Sequence, residues 1–205
     1  MRELAIVGAG GHGIVVAEAA RLQGLWDLIE LYDDAPQPTA DLAGFALAGR
    51  VTDLRERLVA PPAQGLEVVI AIGRNAVRRQ LAQAFLEMGA SLATVIHPAA
   101  VLSPSCTIGA GCVVLARAVV GARARLGQSC IVNVGAIVDH DCILGHAVHV
   151  APGAVLVGAV RVGDGSWIAT GACLMPGVAI PPAAEVAGGS AVMAAAYTGT
   201  RVERL

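Results

Sequence analysis

The chain has 205 residues, 56% of them hydrophobic but only 3% aromatic, and a formal net charge of −2. This composition excludes the clustered basic face of a nucleic-acid-binding protein, and no apolar run reaches the roughly 18 residues of a membrane span. With so few aromatics the core must consist of small aliphatic side chains, which suits a narrow and regular interior.

The N-terminus lacks the features of a secretory signal, because Arg2 is followed by Glu3 and the next apolar run ends on glycines. We therefore expect a cytoplasmic protein that binds neither nucleic acid nor membrane. In a reducing cytoplasm the five cysteines are not expected to form disulfides, which leaves a zinc site or a packing role.

Residues 1–95 alternate between apolar runs and amphipathic segments. Strands are predicted over 4–10, 28–34 and 67–73, helices over 13–23 and 75–88, and a linker over 91–98. This alternation predicts a small α/β domain of Rossmann-like type with a parallel sheet. Its ligands would bind outside the carboxyl ends of the strands, so the residues that follow each strand are the candidates.

A glycine-rich turn, GAGGHG over residues 8–13, follows the first strand and opens a helix. Backbone N–H groups and the helix dipole favour a phosphate at such a turn. Gly8, Gly10 and Gly13 also match the G-x-G-x-x-G fingerprint, so NAD is one alternative and a purely packing role is another. We favour a nucleotide-linked ligand because the unit is short for a dinucleotide domain.

Polar residues also follow the second and third strands. A carboxylate in the position of Asp33 or Asp34 commonly binds a sugar or ribose hydroxyl, although a solvated turn is an alternative. Gly73, Arg74 and Asn75 are candidates for contacts with base, ribose or phosphate. The alternative for Asn75 is a cap on the helix that starts there.

From Val101 onward the chain divides into sixteen hexapeptides without a slip of frame. The second position is always Leu, Ile or Val, as expected for a side chain that points into a narrow core. The sixth is always Ala, Cys, Ser or Val, as expected at a tight inner corner. Seven hexapeptides have Gly, Asn or Asp at the third position, where we expect a turn with positive φ.

Three such hexapeptides would close one coil of 18 residues, which predicts a parallel β-helix over residues 96–205. Four of the five cysteines fall at the sixth position, so a packing role is favoured over zinc binding. The cysteines are Cys106, Cys112, Cys130, Cys142 and Cys173.

The densest polar cluster of the repeats lies between residues 133 and 149. His140 is predicted to point outward, and the adjacent Asp141 could hold its imidazole in one tautomer and stabilise the protonated form. An imidazole ordinarily titrates near pH 6.5, which suits a general base at neutral pH. An incidental exposed histidine is the alternative.

Three histidines within ten residues also raise the alternative of a metal site. His140 and His146 occupy the same position in consecutive hexapeptides, so they should project from different faces of one β-helix. We therefore favour no metal, and we expect His146 to be a solvent-facing turn residue.

The chain resembles the bacterial sugar acyltransferases, which include sialic acid O-acetyltransferases and N-acetyltransferases of nucleotide-linked 4-amino-4,6-dideoxy sugars. The resemblance runs nearly end to end. It rests on GAGGHG from residue 8, YDD from 32, VIAIGRN from 69, TVIHPAA from 94 and NVGAIVDHDCILGHAVHVAPGA from 133. It implies a left-handed β-helix, acetyl-CoA as acyl donor, and a homotrimer with active sites between neighbouring β-helices.

The resemblance also implies roles for individual residues. His140 matches the general base, Asp141 the acidic residue beside it, and Asn133 a residue near the reacting centre. The nucleotide sugar would be bound by Gly10, Gly11, His12, Asp33, Asp34, Gly73 and Asn75. Acetyl-CoA would be bound by His149, Gly158, Ala169, Thr170 and Gly188. Two features depart from the family pattern: Arg74, where members commonly have Asn or Asp, and the tail over residues 199–205.

Three functions remain open at this point. The favoured one is N-acetylation of a nucleotide-linked amino sugar by acetyl-CoA, without a metal or an acyl-enzyme. The nearest alternative is O-acetylation of sialic acid or a related sugar. The third is a non-catalytic nucleotide-sugar-binding protein, which the pairing of His140 with Asp141 argues against.

Overall fold

The computed structural model describes residues 1–34, 41–59 and 65–193, together with the backbone of 201–202. The chain forms two compact units, Met1–Pro98 and Ala99–Leu205. The final predicted hexapeptide after Met193 and the side chains of the tail over 199–205 lie outside the described residues. Within the described residues, no helix has the length and apolar character needed to cross a membrane.

The first unit is an α/β domain around one parallel sheet. Its elements are β1 (Glu3–Val7), α1 (Gly11–Gln23), β2 (Leu28–Tyr32), β3 (Ala46–Gly49), α2 (Val51–Val59), β4 (Leu66–Ile70), α3 (Asn75–Glu87) and β5 (Ser91–Leu92). The strand order is β3-β2-β1-β4-β5, and all four strand pairs are parallel. The order reverses direction between β1 and β4, which is where Rossmann-type domains open a binding crevice.

Two of the three strands predicted from the sequence, β1 and β4, are buried. Leu4 to Val7 of β1 and Val68 to Ile70 of β4 are each at most 2% exposed, which explains their continuous apolar character. Two elements, β3 and α2, are not predicted from the sequence. Three of the four residues of β3 are exposed at the sheet edge, so the strand lacks an apolar pattern. In α2 only Val51 and Leu54 are buried.

The strands β6 to β23, each of two residues, form a parallel β-helix with three faces. Face I contains β7 (Val101–Leu102), β10 (Val119–Val120), β13 (Ile137–Val138), β16 (Val155–Leu156), β19 (Cys173–Leu174) and β22 (Ala191–Val192). Face II contains β8 (Thr107–Ile108), β11 (Arg125–Leu126), β14 (Ile143–Leu144), β17 (Arg161–Val162) and β20 (Ala179–Ile180). Face III contains β6 (Val95–Ile96), β9 (Val113–Val114), β12 (Ile131–Val132), β15 (His149–Val150), β18 (Trp167–Ile168), β21 (Glu185–Val186) and β23 (Arg201–Val202).

The frame of the repeat is the one read from the sequence. From β7 to β22 each strand pairs with the strand 18 residues away, as in the register Val120↔Val138↔Leu156, whereas β23 pairs with β21 at a spacing of 16 residues (Glu185↔Arg201). The predicted linker over 91–98 is instead two strands, β5 of the first sheet and β6 of face III. The hexapeptide spacing therefore begins at Val95, one repeat earlier than predicted.

Two of the three predicted columns are confirmed by burial. Second-position side chains from Val114 to Val192 are buried, and sixth-position residues from Cys112 to Ser190 are buried as well. Cys112, Cys130 and Cys142 are fully buried among them. Over the described ranges, no group of three His, Cys, Asp or Glu side chains has the geometry to hold a metal ion.

The third position of the hexapeptide was predicted to need glycine because of positive φ, and this reason was wrong. Positive φ occurs at the fifth position instead, for example at Gly135 (65°) and Asp141 (60°). Third-position glycines are needed because the next coil passes too close for a side chain. A Cβ on Gly109 would lie 2.7 Å from the carbonyl carbon of Gly127, and one on Gly127 would lie 2.7 Å from that of Gly145.

Candidate active site

Three loops meet at the carboxyl edge of the first sheet. Since β2, β1 and β4 are adjacent and parallel, their ends place residues 8–13, 33–34 and 71–75 side by side. Gly10, Gly11 and Gly73 are exposed, and a Cβ at any of them would meet nothing within 4 Å. These loops therefore present open backbone at the crevice where a Rossmann-type domain binds its ligand.

The other two glycines of the fingerprint serve packing. Gly8 adopts φ +115°, and a Cβ there would lie 2.8 Å from the carbonyl oxygen of Ala71. A Cβ on Gly13 would collide with the carbonyl oxygen of Gly8. The turn is thus closely packed at Gly8 and Gly13 and open at Gly10 and Gly11. A role in packing alone therefore explains only two of these four glycines.

Asp33 and Asp34 both hold the backbone around the crevice. Oδ2 of Asp33 accepts a hydrogen bond of 2.7 Å from the N–H of Ala9 in the glycine turn. Oδ1 of Asp34 accepts one of 3.0 Å from the N–H of Val51, the first residue of α2. Both carboxylates therefore fix neighbouring loops, while Asp34 remains exposed to solvent.

Asn75 does not cap α3, contrary to the alternative considered for it. It is the first residue of the helix, and no side-chain bond caps that end. Its Oδ1 accepts a 2.7 Å hydrogen bond from the guanidinium of Arg78, which also donates to the carbonyls of Ile72 (2.9 Å) and Gly73 (3.2 Å). Arg78 is fully buried, and its hydrogen bonds hold the loop that follows β4 from the protein interior.

His12 lies in the first turn of α1 and is mostly buried. Burial, with a smaller contribution from the charge of Arg78, lowers the pKa of His12 to about 4. Its imidazole is therefore neutral at pH 7 and would contact a ligand as a hydrogen-bonding group without charge.

The second group of candidates lies at the corner that follows face I, which we call corner I–II. Nδ1 of His140 lies 2.8 Å from Oδ2 of Asp141. The N–H of His140 donates to Oδ1 of Asp139 at 2.7 Å, which fixes the backbone of the turn. With Nδ1 engaged by a carboxylate, Nε2 is the ring nitrogen that could accept a hydrogen bond from a ligand.

Asp141 is held on its other side by Arg123. The guanidinium donates from Nε to Oδ1 and from Nη2 to Oδ2, both at 2.7 Å. Hydrogen bonds from Arg123 first, and from His140 second, hold the pKa of Asp141 well below its usual range. Its carboxylate is therefore ionised throughout the working pH range.

Gly158 lies directly beneath the imidazole of His140, one coil further along the chain. A Cβ there would lie 2.5 Å from Cε1 and 2.6 Å from Nε2 of the ring. Only glycine leaves the space that the imidazole occupies. In the described part of the chain no hydrogen bond engages the N–H of Gly158, so this donor is available beside the ring.

A third group lies at the corner that follows face III, which we call corner III–I. Nδ2 of Asn133 lies 3.2 Å from Nε2 of His149, and Oδ1 of Asn133 accepts from the N–H of Val134 at 2.8 Å. The Asn133 amide is thus fixed with its N–H₂ toward His149, whose Nε2 is then the acceptor. The exposed Trp167 stands beside His149 on the next strand.

Ala169, Thr170 and Gly188 continue the same corner. Thr170 and Gly188 are one coil apart, and the N–H of Gly189 donates to the carbonyl of Thr170 at 2.9 Å. A Cβ on Gly188 would lie 3.2 Å from that carbonyl oxygen. At corner III–I the backbone of successive coils is therefore closely stacked at Thr170 and Gly188, beyond His149 along the β-helix.

The candidates of the β-helix thus form two separate groups in one chain. His140, Asp141 and Gly158 lie at corner I–II, whereas Asn133, Ala169, Thr170 and Gly188 lie at corner III–I, with His149 on the adjoining strand β15 of face III. These corners are the two edges of face I. The outward residues of that face are apolar or small: Val101, Val119, Ile137, Val155, Cys173 and Ala191.

His146 is separate from both groups, as the repeat predicts. It follows face II, its side chain is exposed, and its Nδ1 accepts a 3.0 Å hydrogen bond from the N–H of Gln128. Three residues near these groups are not predicted from the sequence: Arg78, Arg123 and Trp167. The repeat carried the signal for Arg123, which lies 18 residues before Asp141 and so stacks on it.

Comparison with known proteins supports these assignments of fold. Residues 3–85 match the family model of the PglD N-terminal domain. The acetyltransferase domain of PglB from Neisseria gonorrhoeae FA1090 is 40% identical with a TM-score of 0.88, over 94% of this chain and 92% of that one. The same domain matches in complex with acetyl coenzyme A.

Two further relatives are informative. PerB from Caulobacter crescentus, in complex with CoA and GDP-perosamine, is 36% identical with a TM-score of 0.85, over 94% of this chain and 89% of that one. A UDP-N-acetylbacillosamine N-acetyltransferase of Bacillus subtilis (strain 168) is 38% identical over 119 residues, 57% of this chain and 52% of that protein. The alignment thus spans about half the length of the Bacillus protein.

Proposed function

Because this chain belongs to the bacterial sugar O- and N-acyltransferases, with a Rossmann-like domain followed by a left-handed β-helix, we propose that it acetylates the amino group of a nucleotide-linked sugar. Acetyl-CoA is the acyl donor. The observation that carries the proposal is the imidazole of His140, bonded through Nδ1 to Asp141 and seated over Gly158. We propose a sugar of the 4-amino-4,6-dideoxy type as acceptor.

The chemistry requires a base and an oxyanion donor. A sugar amine is largely protonated at pH 7 and must lose a proton before it attacks a thioester. That first proton goes to water, and Nε2 of His140 takes a second proton from the nitrogen as the neutral amine bonds to the acetyl carbon. A backbone N–H, for which Gly158 is the candidate, stabilises the oxyanion. Collapse of the tetrahedral intermediate breaks the C–S bond and releases CoA, whose thiolate takes up the proton.

The α/β domain supplies acceptor binding in this proposal. The N-termini of α1 and α3 point backbone N–H groups toward the open rim at Gly10, Gly11 and Gly73, where a diphosphate would be bound. Asp33, Asp34 and Asn75 would face the ribose and base, and neutral His12 would add a hydrogen bond. Two relatives differ in their nucleotide, since one is named for a UDP-linked sugar and the other is in complex with a GDP-linked one, so the proposed acceptor is the class of nucleotide-linked amino sugars.

The separation of the two corners supports a site shared between copies of the chain. We propose a homotrimer in which face I, apolar on its outward side, turns toward the threefold axis. Corner I–II of one subunit would then meet corner III–I of its neighbour. This contact would bring the general base His140 next to the residues proposed to bind acetyl-CoA. Cytoplasmic location is part of the same proposal, because nucleotide sugars and acetyl-CoA are both cytoplasmic metabolites.

Co-expression of two inactive variants tests this shared site. We expect His140→Ala and His149→Ala to be nearly inactive alone and to regain acetyl transfer when co-expressed, since some sites then combine two intact corners. The matched control is His140→Ala with Gly158→Trp, which damages one corner twice and should stay inactive. No recovery in the first pair, or equal recovery in both pairs, would contradict a site between subunits.

A CoA-release assay tests the acceptor. The acceptors are UDP-, dTDP- and GDP-linked 4-amino sugars and free sialic acid, with the corresponding 4-hydroxy nucleotide sugars as matched controls. We expect thiol release with at least one 4-amino compound and none with its 4-hydroxy analogue. Release only with sialic acid would replace the proposal by the O-acetyltransferase alternative, and binding without release would favour the non-catalytic one.

A further inference from the structure

The imidazole of His140 and the guanidinium of Arg123 share one carboxylate oxygen. Oδ2 of Asp141 lies 2.8 Å from Nδ1 of His140 and 2.7 Å from Nη2 of Arg123, and Oδ1 receives Nε of Arg123. We propose that Arg123 is a positioning residue for acetyl transfer, which fixes the orientation of Asp141 beside His140 and offsets the negative charge of that carboxylate. This inference rests on the proposed role of His140.

The repeat itself builds this contact. Arg123 and Asp141 are both fifth-position residues with left-handed backbone, at φ 58° and 60°, and they lie one coil apart. The N–H of Asp141 donates to the carbonyl of Ala122 at 2.9 Å, and the N–H of Arg123 donates to Oγ of Ser105 at 3.1 Å. Both side chains therefore leave the same corner from fixed backbone and meet as a two-pronged pair.

The geometry requires an arginine. A guanidinium presents two N–H groups in one plane and so fixes both oxygens of a carboxylate, whereas an ammonium engages it as a point charge. The Arg123 side chain is 67% exposed, and exposed ion pairs contribute little to folding stability. The consequence of the pair therefore lies in the orientation and charge of Asp141 at His140.

The charge of Arg123 also sets the balance around the imidazole. Among the described residues, the carboxylates that face the ring are Asp141 at Nδ1 and Asp139, whose Oδ2 lies 3.8 Å from Nε2. Two carboxylates alone would favour an imidazolium, which cannot accept the proton of the amine. In the described part of the chain, Arg123 is the one arginine bonded to Asp141, and it offsets the charge of that carboxylate through the shared oxygen.

The pH profile of Arg123→Met tests the inference. We expect the acidic limb of kcat/KM to move to higher pH by about one unit, because loss of the cation favours the protonated imidazole. KM for acetyl-CoA should change little. The acidic limb of Arg123→Lys should lie between those of the wild type and Arg123→Met, since lysine keeps the positive charge but cannot form both hydrogen bonds to Asp141. Arg161→Met, an exposed arginine on face II, is the matched control and should leave the profile unchanged.

A double variant separates positioning from general structural damage. In an Asp141→Asn background, Arg123→Met should cause no further shift of the pH profile, because its route to His140 is already lost. Shifts that add in the double variant would overturn the inference. So would an acidic limb at the wild-type pH in Arg123→Met.

An NMR titration without substrates keeps this test independent of the proposed reaction. The imidazole signal of His140 is identified by its loss in His140→Asn and followed against pH. We expect its midpoint to move to higher pH in Arg123→Met, and an unchanged midpoint would overturn the role of Arg123. If the wild type transfers no acetyl group to any amino sugar, the proposed function fails while this titration still gives its own result.

Discussion

His140→Asn is expected to lower kcat by about 10² to 10⁴-fold, the usual contribution of a general base. Asparagine cannot accept the proton of the amine, so the chemical step loses its base while both substrates still bind. KM for acetyl-CoA should therefore stay close to the wild-type value. The His140 side chain is 55% exposed, so the free energy of unfolding should change by no more than about 0.5 kcal/mol.

The control for this substitution is His146→Asn. His146 occupies the same position of the next hexapeptide but follows face II, where its imidazole only accepts from a backbone N–H. Steady-state kinetics at saturating acetyl-CoA should show wild-type kcat for this control. A wild-type kcat in His140→Asn would contradict the mechanism, and equal losses in both variants would point to damage to the β-helix.

Gly158→Ala is expected to cost about 100-fold or more in kcat, even though it adds only a methyl group. The added Cβ would lie 2.5 Å from Cε1 of His140, so the ring must leave its position over the backbone of Gly158. A displacement of about 1 Å at a catalytic group commonly costs about 100-fold in rate. The measurement is kcat, with circular dichroism to verify that the β-helix is intact.

Gly165→Ala provides the matched control. A Cβ on Gly165 would meet nothing within 4 Å, and its column already holds alanine with positive φ at residues 147, 159 and 183. It should remain active. In a His140→Asn background, Gly158→Ala should lower kcat little further, because the ring it displaces is gone. A large additional loss there would show that Gly158 acts apart from His140.

The β-helix could be predicted because its constraints are local and repeated. The second and sixth positions report burial directly, and Val120, Val138 and Leu156 carry the same signal one coil apart. The third position was misread because a glycine meets two different demands, positive φ and close approach, and the sequence does not distinguish them. The fifth position, where positive φ does occur, is glycine in seven hexapeptides, but it is arginine, serine or alanine in others, such as Arg123 and Ala159. Its glycines were therefore not recognised as the mark of a turn.

The candidate site was predictable in its residues more than in its arrangement. The pairing of His140 with Asp141 follows from adjacency, and the structure has it at 2.8 Å. The contact of Asn133 with His149 depends on how coils stack at a corner, and the buried Arg78 behind Asn75 depends on tertiary packing. The edge strand β3 was not predicted for a related reason, since its exposed residues give no alternation of apolar and polar residues. The roles of all these residues in catalysis remain predictions.

The central claim is that the acetyl group ends on nitrogen of a nucleotide-linked sugar. The most direct measurement uses acetyl-CoA labelled in the acetyl group, followed by mild alkali, which cleaves an acetate ester and leaves an amide intact. We predict that the label stays on the nucleotide sugar after this treatment and that the His140→Asn variant transfers almost none. Loss of the label as free acetate would show transfer to oxygen and would contradict the account.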